Sequence, residues 1–163
     1  MRWTLPSLLC ALALASCAAP RPQPNAVRTR DLASVHLDRA LALSSFNAYR
    51  ASLGLAPVAY DPALDAMAQR QAEAMVAANA LSHDLGGGFY ARVTSSGVKF
   101  TEAGENLGAG YDSTSAAFVG WRNSPEHDAN LTRKNINRFG IALAKDAHTE
   151  YGAYWAMEVA NEP

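Results

Sequence analysis

Cysteine is nearly absent from this chain of 163 residues: there are two, Cys10 and Cys17, both within the first 17 positions. A folded region beyond them has no pair to cross-link, so its core holds without disulfides even in an oxidising compartment. Charge of one sign is also lacking, with 14 lysines and arginines against 15 aspartates and glutamates. Residues 1–16 contain one of those basic side chains, Arg2, and none of the acidic ones, so the remainder is slightly acidic. No basic surface is available for a phosphate backbone, and nucleic acid is excluded as a partner. A long apolar run is missing as well. The longest, "LPSLLCALALAS", is too short to span a bilayer but suits the hydrophobic part of a secretory signal. Internal repeats and low-complexity tracts are not found, and 163 residues with 49% hydrophobic content suit one globular domain.

The leader predicts export. Leu14-Ala15-Ser16-Cys17 resembles the bacterial lipobox, in which the cysteine is lipidated and becomes the first mature residue; the alternative is ordinary cleavage near "ALASCAA". The segment "AAPRPQPNAVRTR" that follows is rich in proline and arginine and reads as an extended spacer. The expected organisation is a signal over 1–16, a spacer anchored by lipid on Cys17 over 17–31, and a domain over 32–163. Ala18 is not the aspartate that retains many lipoproteins at the inner membrane, so the expected site is the periplasmic face of the outer membrane in a cell that has one.

Within the domain, Leu37, Leu41, Phe46, Tyr49 and Leu53 recur at mostly helical spacing between His36 and Leu53, with Gly54 placed as a C-terminal cap. Asp61-Pro62 predicts the start of a second helix running to about Ala80. "RFGIALAKD" and "YGAYWAMEVA" predict two antiparallel strands joined by a turn, and "VKFTEAGENL" supplies a third. Helices over such a sheet make an α+β sandwich.

The residues with chemistry lie between these ends. His83 precedes Glu105 by 22 residues, and Glu105 precedes His127 by the same interval. "LSHD" places His83 in a loop before "GGG", where no regular element is expected; "GENLGAG" sets Glu105 between glycines; "SPEHDANL" predicts a short helix presenting His127, capped by the Ser124 hydroxyl with Pro125 first inside. His36 and His148 read as solvated surface histidines, and Trp121, Tyr154 and Trp155 as core or cleft wall.

The ordered pieces "FNAYRASLGLAPVAYDPALDAMAQRQAEAM", "SHD", "GENLGAG", "WRNSPEHDANL", "FGIALA" and "YWAMEVA" resemble the CAP superfamily (SCP domain) of cysteine-rich secretory, antigen 5 and plant pathogenesis-related proteins, in its bacterial form. The resemblance covers about Leu41 to Ala160. It implies a three-layer α-β-α sandwich with a central antiparallel sheet and a cleft where His83, Glu105 and His127 converge. In the eukaryotic branch a glutamate follows the helix tryptophan by three residues; here Trp121 is followed at that offset by Ser124, as is common in bacterial relatives. Glu126 stands where glycine is usual, and either supplies the missing carboxylate or acts as a charge in the first turn of its helix. Asn106 and Asn130 orient the histidines or cap backbone.

Three readings of the cleft stay open. In the first, His83, His127 and Glu105 hold a labile divalent cation such as zinc, since the spacing is unlike a dense H-E-x-x-H cage. In the second the protein is an envelope hydrolase, with the same three residues catalytic and Ser124 as a nucleophile, weighed against the capping role that would occupy its hydroxyl. In the third the cleft binds a small-molecule, lipid, glycan or peptide ligand at the envelope.

Overall fold

A computed structural model describes residues 32–163. The leader, Cys17 and the spacer lie outside the described residues.

The first helix, α1 (Arg39–Ser52), starts where the Asp38 carboxylate accepts from the Leu41 amide, three residues later than the apolar spacing predicts. Its inward face also differs. Ala42, Phe46 and Arg50 are buried, whereas Leu41 and Leu53 are 40% and 49% exposed. The reason is Arg50, whose Nε donates to the Ala56 carbonyl (2.7 Å) and whose Nη1 donates to those of Leu131 (2.8 Å) and Arg133 (2.9 Å). A buried guanidinium that satisfies loop carbonyls sets the rotation of the helix, and the leucines follow it outward.

Strand β1 (Ala59–Tyr60) leads into α2 (Pro62–Ala78), whose first amides are met by Asp61 and whose end is turned by Asn79 in the left-handed region at φ 47°. A short helix, α3 (Phe89–Ser95), follows the three glycines, where the sequence predicts none. Strand β2 (Glu102–Ala109) comes next, beginning four residues after the start of the predicted strand. Helices α4 (Thr114–Arg122) and α5 (Pro125–Leu131) then precede β3 (Arg138–Lys145) and β4 (Ala153–Asn161).

The sheet order is β1-β3-β4-β2. The three long strands pair antiparallel, as the resemblance implies; the two-residue β1 adds a parallel edge pair to β3 that the sequence does not reveal. The sheet is therefore mixed. Central β4 is buried from Ala153 to Ala160, which explains its near-continuous apolar run. Its Trp155, Met157 and Val159 pack with Phe46, Phe118 and Trp121 from α1 and α4, while Tyr154, Ala156 and Ala160 face α2 and α3. Helices thus cover both faces of the sheet, and the fold is an α+β sandwich of three layers. At Gly140 of β3 an added Cβ would lie 2.1 Å from the Asp65 amide nitrogen, so only glycine lets α2 settle this close.

Strand β2 has no strand on its outer side among the described residues, and α4 and α5 lie against that edge. An open edge needs partners for its carbonyls. Trp121 Nε1 donates to the Leu107 carbonyl (2.9 Å), and Asn130 Nδ2 donates to that of Glu105 (2.9 Å). The side chains that cover this edge also place α5, and with it His127, beside Glu105.

Candidate functional site: two histidines at the edge of the sheet

Glu105 lies on the face of β2 that looks toward α2 and α3, and its side chain is 1% exposed. A buried carboxylate must be paired. Oε1 sits 2.6 Å from His83 Nδ1, and Oε2 accepts from Arg92 Nη2 on α3. Both oxygens are thus engaged. Arg92 is itself buried, and its Nη1 donates to the carbonyls of His83 (2.9 Å) and Leu85 (2.6 Å). One guanidinium therefore neutralises Glu105 and fixes the loop that carries His83. With Nδ1–H donated to the carboxylate, Nε2 becomes the acceptor of the His83 ring, on a side chain 56% exposed.

Arg92 and α3 escape sequence reasoning because "GGG" announces a loop. Gly86, Gly87 and Gly88 all have positive φ and serve as the turn that delivers the chain into α3. A second residue is missed for a different reason. Glu158 stands opposite Glu105 in the β2–β4 ladder, is fully buried, and has no hydrogen-bond partner at either carboxyl oxygen. Burial first, then the negative charge of Glu105, push its carboxyl well above the ordinary carboxylate range. Protonation of Glu158 removes the repulsion between two carboxyl groups that face each other across one rung. The sequence signal was one acidic residue inside "YWAMEVA".

The bonds that hold the His127 backbone to the sheet come from neutral amides. Asn106, fully buried, donates from Nδ2 to the His127 carbonyl (3.0 Å) and accepts at Oδ1 from Asn130 (2.8 Å). Asn130 Oδ1 in turn accepts from Arg133 Nε (2.9 Å). A Cβ at Gly104 would come within 2.4 Å of Asn130 Oδ1, so the "GENLG" glycine gives this amide its room. Burial, and then the charge of His83, hold the His127 ring below its ordinary value, while Glu126 opposes the shift.

Ser124 departs from its expected role. It occupies the N-cap position of α5 but its side chain makes no capping bond; Oγ lies 2.9 Å from His127 Nδ1. The i+3 imidazole takes the hydroxyl that the helix amides would otherwise receive. Glu126 is exposed in the first turn of α5. His36 is exposed, and the His148 side chain is 94% exposed beside Asp146. Trp121, Tyr154 and Trp155 are fully buried in the core.

As a metal centre the arrangement fits poorly. Among the described residues no group of three or more histidine, cysteine or acidic side chains is disposed to hold an ion. Both Glu105 oxygens are committed, which leaves two imidazoles, short of the three protein ligands of an open zinc site.

Comparisons with known proteins agree with this architecture. The model of the cysteine-rich secretory protein family, CAP, matches residues 43–159. The uncharacterised protein YkwD of Bacillus subtilis is 26% identical over 114 residues, 69% of this chain and 42% of YkwD. The chain therefore spans less than half the length of that relative. An extracellular protein of Bacillus anthracis containing an SCP domain superposes with a TM-score of 0.66 at 25% identity, over 75% of this chain and 39% of that one. An outer surface protein of Borrelia burgdorferi superposes with a TM-score of 0.68 at 20% identity, over 77% of this chain and 92% of that one. Among the described residues no helix is long and apolar enough to cross a membrane.

Proposed function

The chain belongs to the CAP family of cysteine-rich secretory proteins, and on that premise we propose that it is an exported cell-envelope protein whose cleft binds a small ligand through His83 and His127. The observation that carries this reading is the saturation of Glu105. Its oxygens are spent on His83 and Arg92, so the carboxylate orients a ring rather than meeting a substrate, and the imidazoles are the groups left to do so. A hydrogen-bonding partner such as a glycan, a peptide or the polar end of a lipid suits that pair. A divalent cation enters only as a labile occupant of two imidazole nitrogens. The lipobox-like Leu14–Cys17 and the spacer support anchoring through lipid on Cys17, at the outer membrane in a cell that has one, and the extracellular and surface relatives are in keeping with export.

Histidine NMR titration of the full chain tests the cleft. His127 should titrate below about 6.5, the unperturbed value, and envelope glycans, peptides or lipids should move the His83 and His127 resonances together while His36 and His148 stay still. Ligands that move neither ring, or equal binding by His83→Ala and His127→Ala proteins, would remove the reading. Zinc that moves both rings at micromolar concentration would instead show that metal holds the pair.

One contact favours hydrolysis as a second reading: Ser124 Oγ within hydrogen-bond reach of an imidazole is the first requirement of an activated nucleophile. A fluorophosphonate probe should label Ser124 in the wild type and not in His127→Gln if that reading holds. An unlabelled Ser124 leaves the binding cleft.

A further inference from the structure

The described residues begin at Leu32, which forms part of the wall of a depression of about 340 Å³ at one end of the sheet. Val35, Tyr111, Asp112, Tyr151 and Ala153 line it as well. Its tyrosines are held in place. The Tyr111 ring lies against Gly108 and Gly120, where no Cβ would fit, and the Tyr111 carbonyl accepts from Trp155 Nε1 (3.1 Å), while the Tyr151 ring meets that of Tyr154 edge-on at 5.8 Å. Leu32 is fastened at the same end of the sheet, because Lys145 Nζ donates to the carbonyls of Leu32 (2.9 Å) and Val35 (2.5 Å). The chain that precedes Leu32 therefore joins the domain at the rim of this depression.

The sequence before Leu32 complements what it meets there. Val27 is the one branched aliphatic side chain between Cys17 and Leu32, and Arg28 and Arg30 follow it. Asp112 in the wall and Glu150, next to Tyr151, are exposed and enter no ion pair among the described residues. Residues 18–30 include Arg21, Arg28 and Arg30 and no acidic side chain, so the two sides carry opposite charge. Val27 stands five positions before Leu32, a reach of at most about 18 Å, and so short a tether keeps it near the depression at a high effective concentration. Pro20, Pro22 and Pro24 restrict the free segment, which lessens the entropy lost when it is ordered. We propose that residues 24–30 of this chain dock in the depression, with Val27 against Tyr111 and Tyr151 and with Arg28 and Arg30 beside Asp112 and Glu150. Docking shortens the spacer. Only Cys17 to Gln23 then remain to bridge lipid and domain, a span of at most about 25 Å. With the lipid on Cys17 proposed above, the end of the sheet that bears Tyr111 and Tyr151 is held toward the bilayer; the docking itself does not rest on the lipid.

Tryptic digestion and NMR of the full chain test this, on protein made by cell-free synthesis in detergent so that no lipid is attached. Trypsin cuts after Arg28 and Arg30, and a docked segment is cut in proportion to the fraction of time it is open. Cleavage there should be about tenfold slower, or more, than in a synthetic peptide of residues 20–34. Asp112→Lys combined with Glu150→Lys should restore most of that rate, although the cleaved sequence is unaltered. Val27→Asp should move the amide resonances of Gly110, Tyr111, Tyr151 and Ala153. This substitution lies before the described domain, so a failure to fold does not obscure it. Unchanged resonances in Val27→Asp, or equal cleavage of the wild type and the double lysine variant, would overturn the docking and leave the depression to water or to another ligand. Resonance shifts that grow with protein concentration would put the segment of a second copy there and overturn it as well. None of these results bears on anchoring through Cys17, because the protein tested carries no lipid.

Discussion

His83 and His127 are both tied to the edge strand β2, and by opposite means. His83 comes from the α2–α3 side on a loop held by charge, in the chain His83, Glu105, Arg92. His127 comes from the α5 side on a helix held by neutral amides, Asn106 and Asn130, bonded to backbone. The charged arrangement contains buried ions that must remain paired, so it fails abruptly when one is lost. The amide arrangement spreads its bonds over carbonyls that each contribute modestly. The two sides should therefore differ in how they break.

The largest effect is expected at Arg92. Arg92→Met leaves Glu105 buried without a cation, next to Glu158, and frees the carbonyls of His83 and Leu85. A loss of roughly 3–5 kcal/mol is expected on urea unfolding, the range for breaking a buried pair by removing one partner. Adding Glu105→Gln should recover part of it, because the stranded charge is then gone. An Asn130→Ala protein should lose less, about 1–3 kcal/mol, the cost of unmet carbonyls on the amide side. Equal losses on both sides would erase the contrast.

How much of this contrast the sequence discloses depends on where each residue sits. His83, Glu105 and His127 stand in ordered motifs with glycine, proline and serine punctuation, and that punctuation is local. Arg92 and Glu158 act through partners far along the chain, and nothing beside them signals it. Arg92 follows glycines that read as loop, and Glu158 occupies a strand position that alternation alone assigns to the core. The inward face of α1 was obscured in the same way: leucines look like the buried side until Arg50 finds the carbonyls of Leu131 and Arg133. Strands β3 and β4 were legible because hydrophobic runs specify them, whereas β1, two exposed residues pairing with β3, depends wholly on tertiary placement.

A middle-sized effect should appear at Glu158 and should depend on pH. A carboxyl raised in the folded state binds its proton there while the unfolded chain, at about 4.3, has released it. Stability from this group is then present in acid and lost as pH rises from the ordinary carboxylate value through the raised one, with a slope approaching about 1.4 kcal/mol per pH unit in that window. Glu158→Gln keeps the shape but has no proton to lose. Its stability should be close to wild type at low pH, exceed it increasingly through the window and by a constant margin above it, in urea unfolding followed from about pH 4 to 9. A wild-type curve with the same slope as the variant would mean that Glu158 is ionised and solvated in the native protein.

The smallest effect is expected at Glu126, the carboxylate nearest in sequence to His127. Glu126 is exposed in the first turn of α5, where a negative charge meets the free amides of the helix end. Its field on His127 raises the ring against the larger lowering by burial and His83. Glu126→Gln should therefore cost under about 0.5 kcal/mol, as for exposed helix-terminal charges, and should move the His127 titration slightly further down without altering ligand binding. The charge on Glu126 can do no more from outside the cleft, because Glu105 already orients His83 and the hydroxyl of Ser124 already meets His127. Loss of ligand binding in Glu126→Gln at unchanged stability would reverse this assignment and make Glu126 the second acid of the cleft, bringing the α5 side to the same charged design as the α3 side.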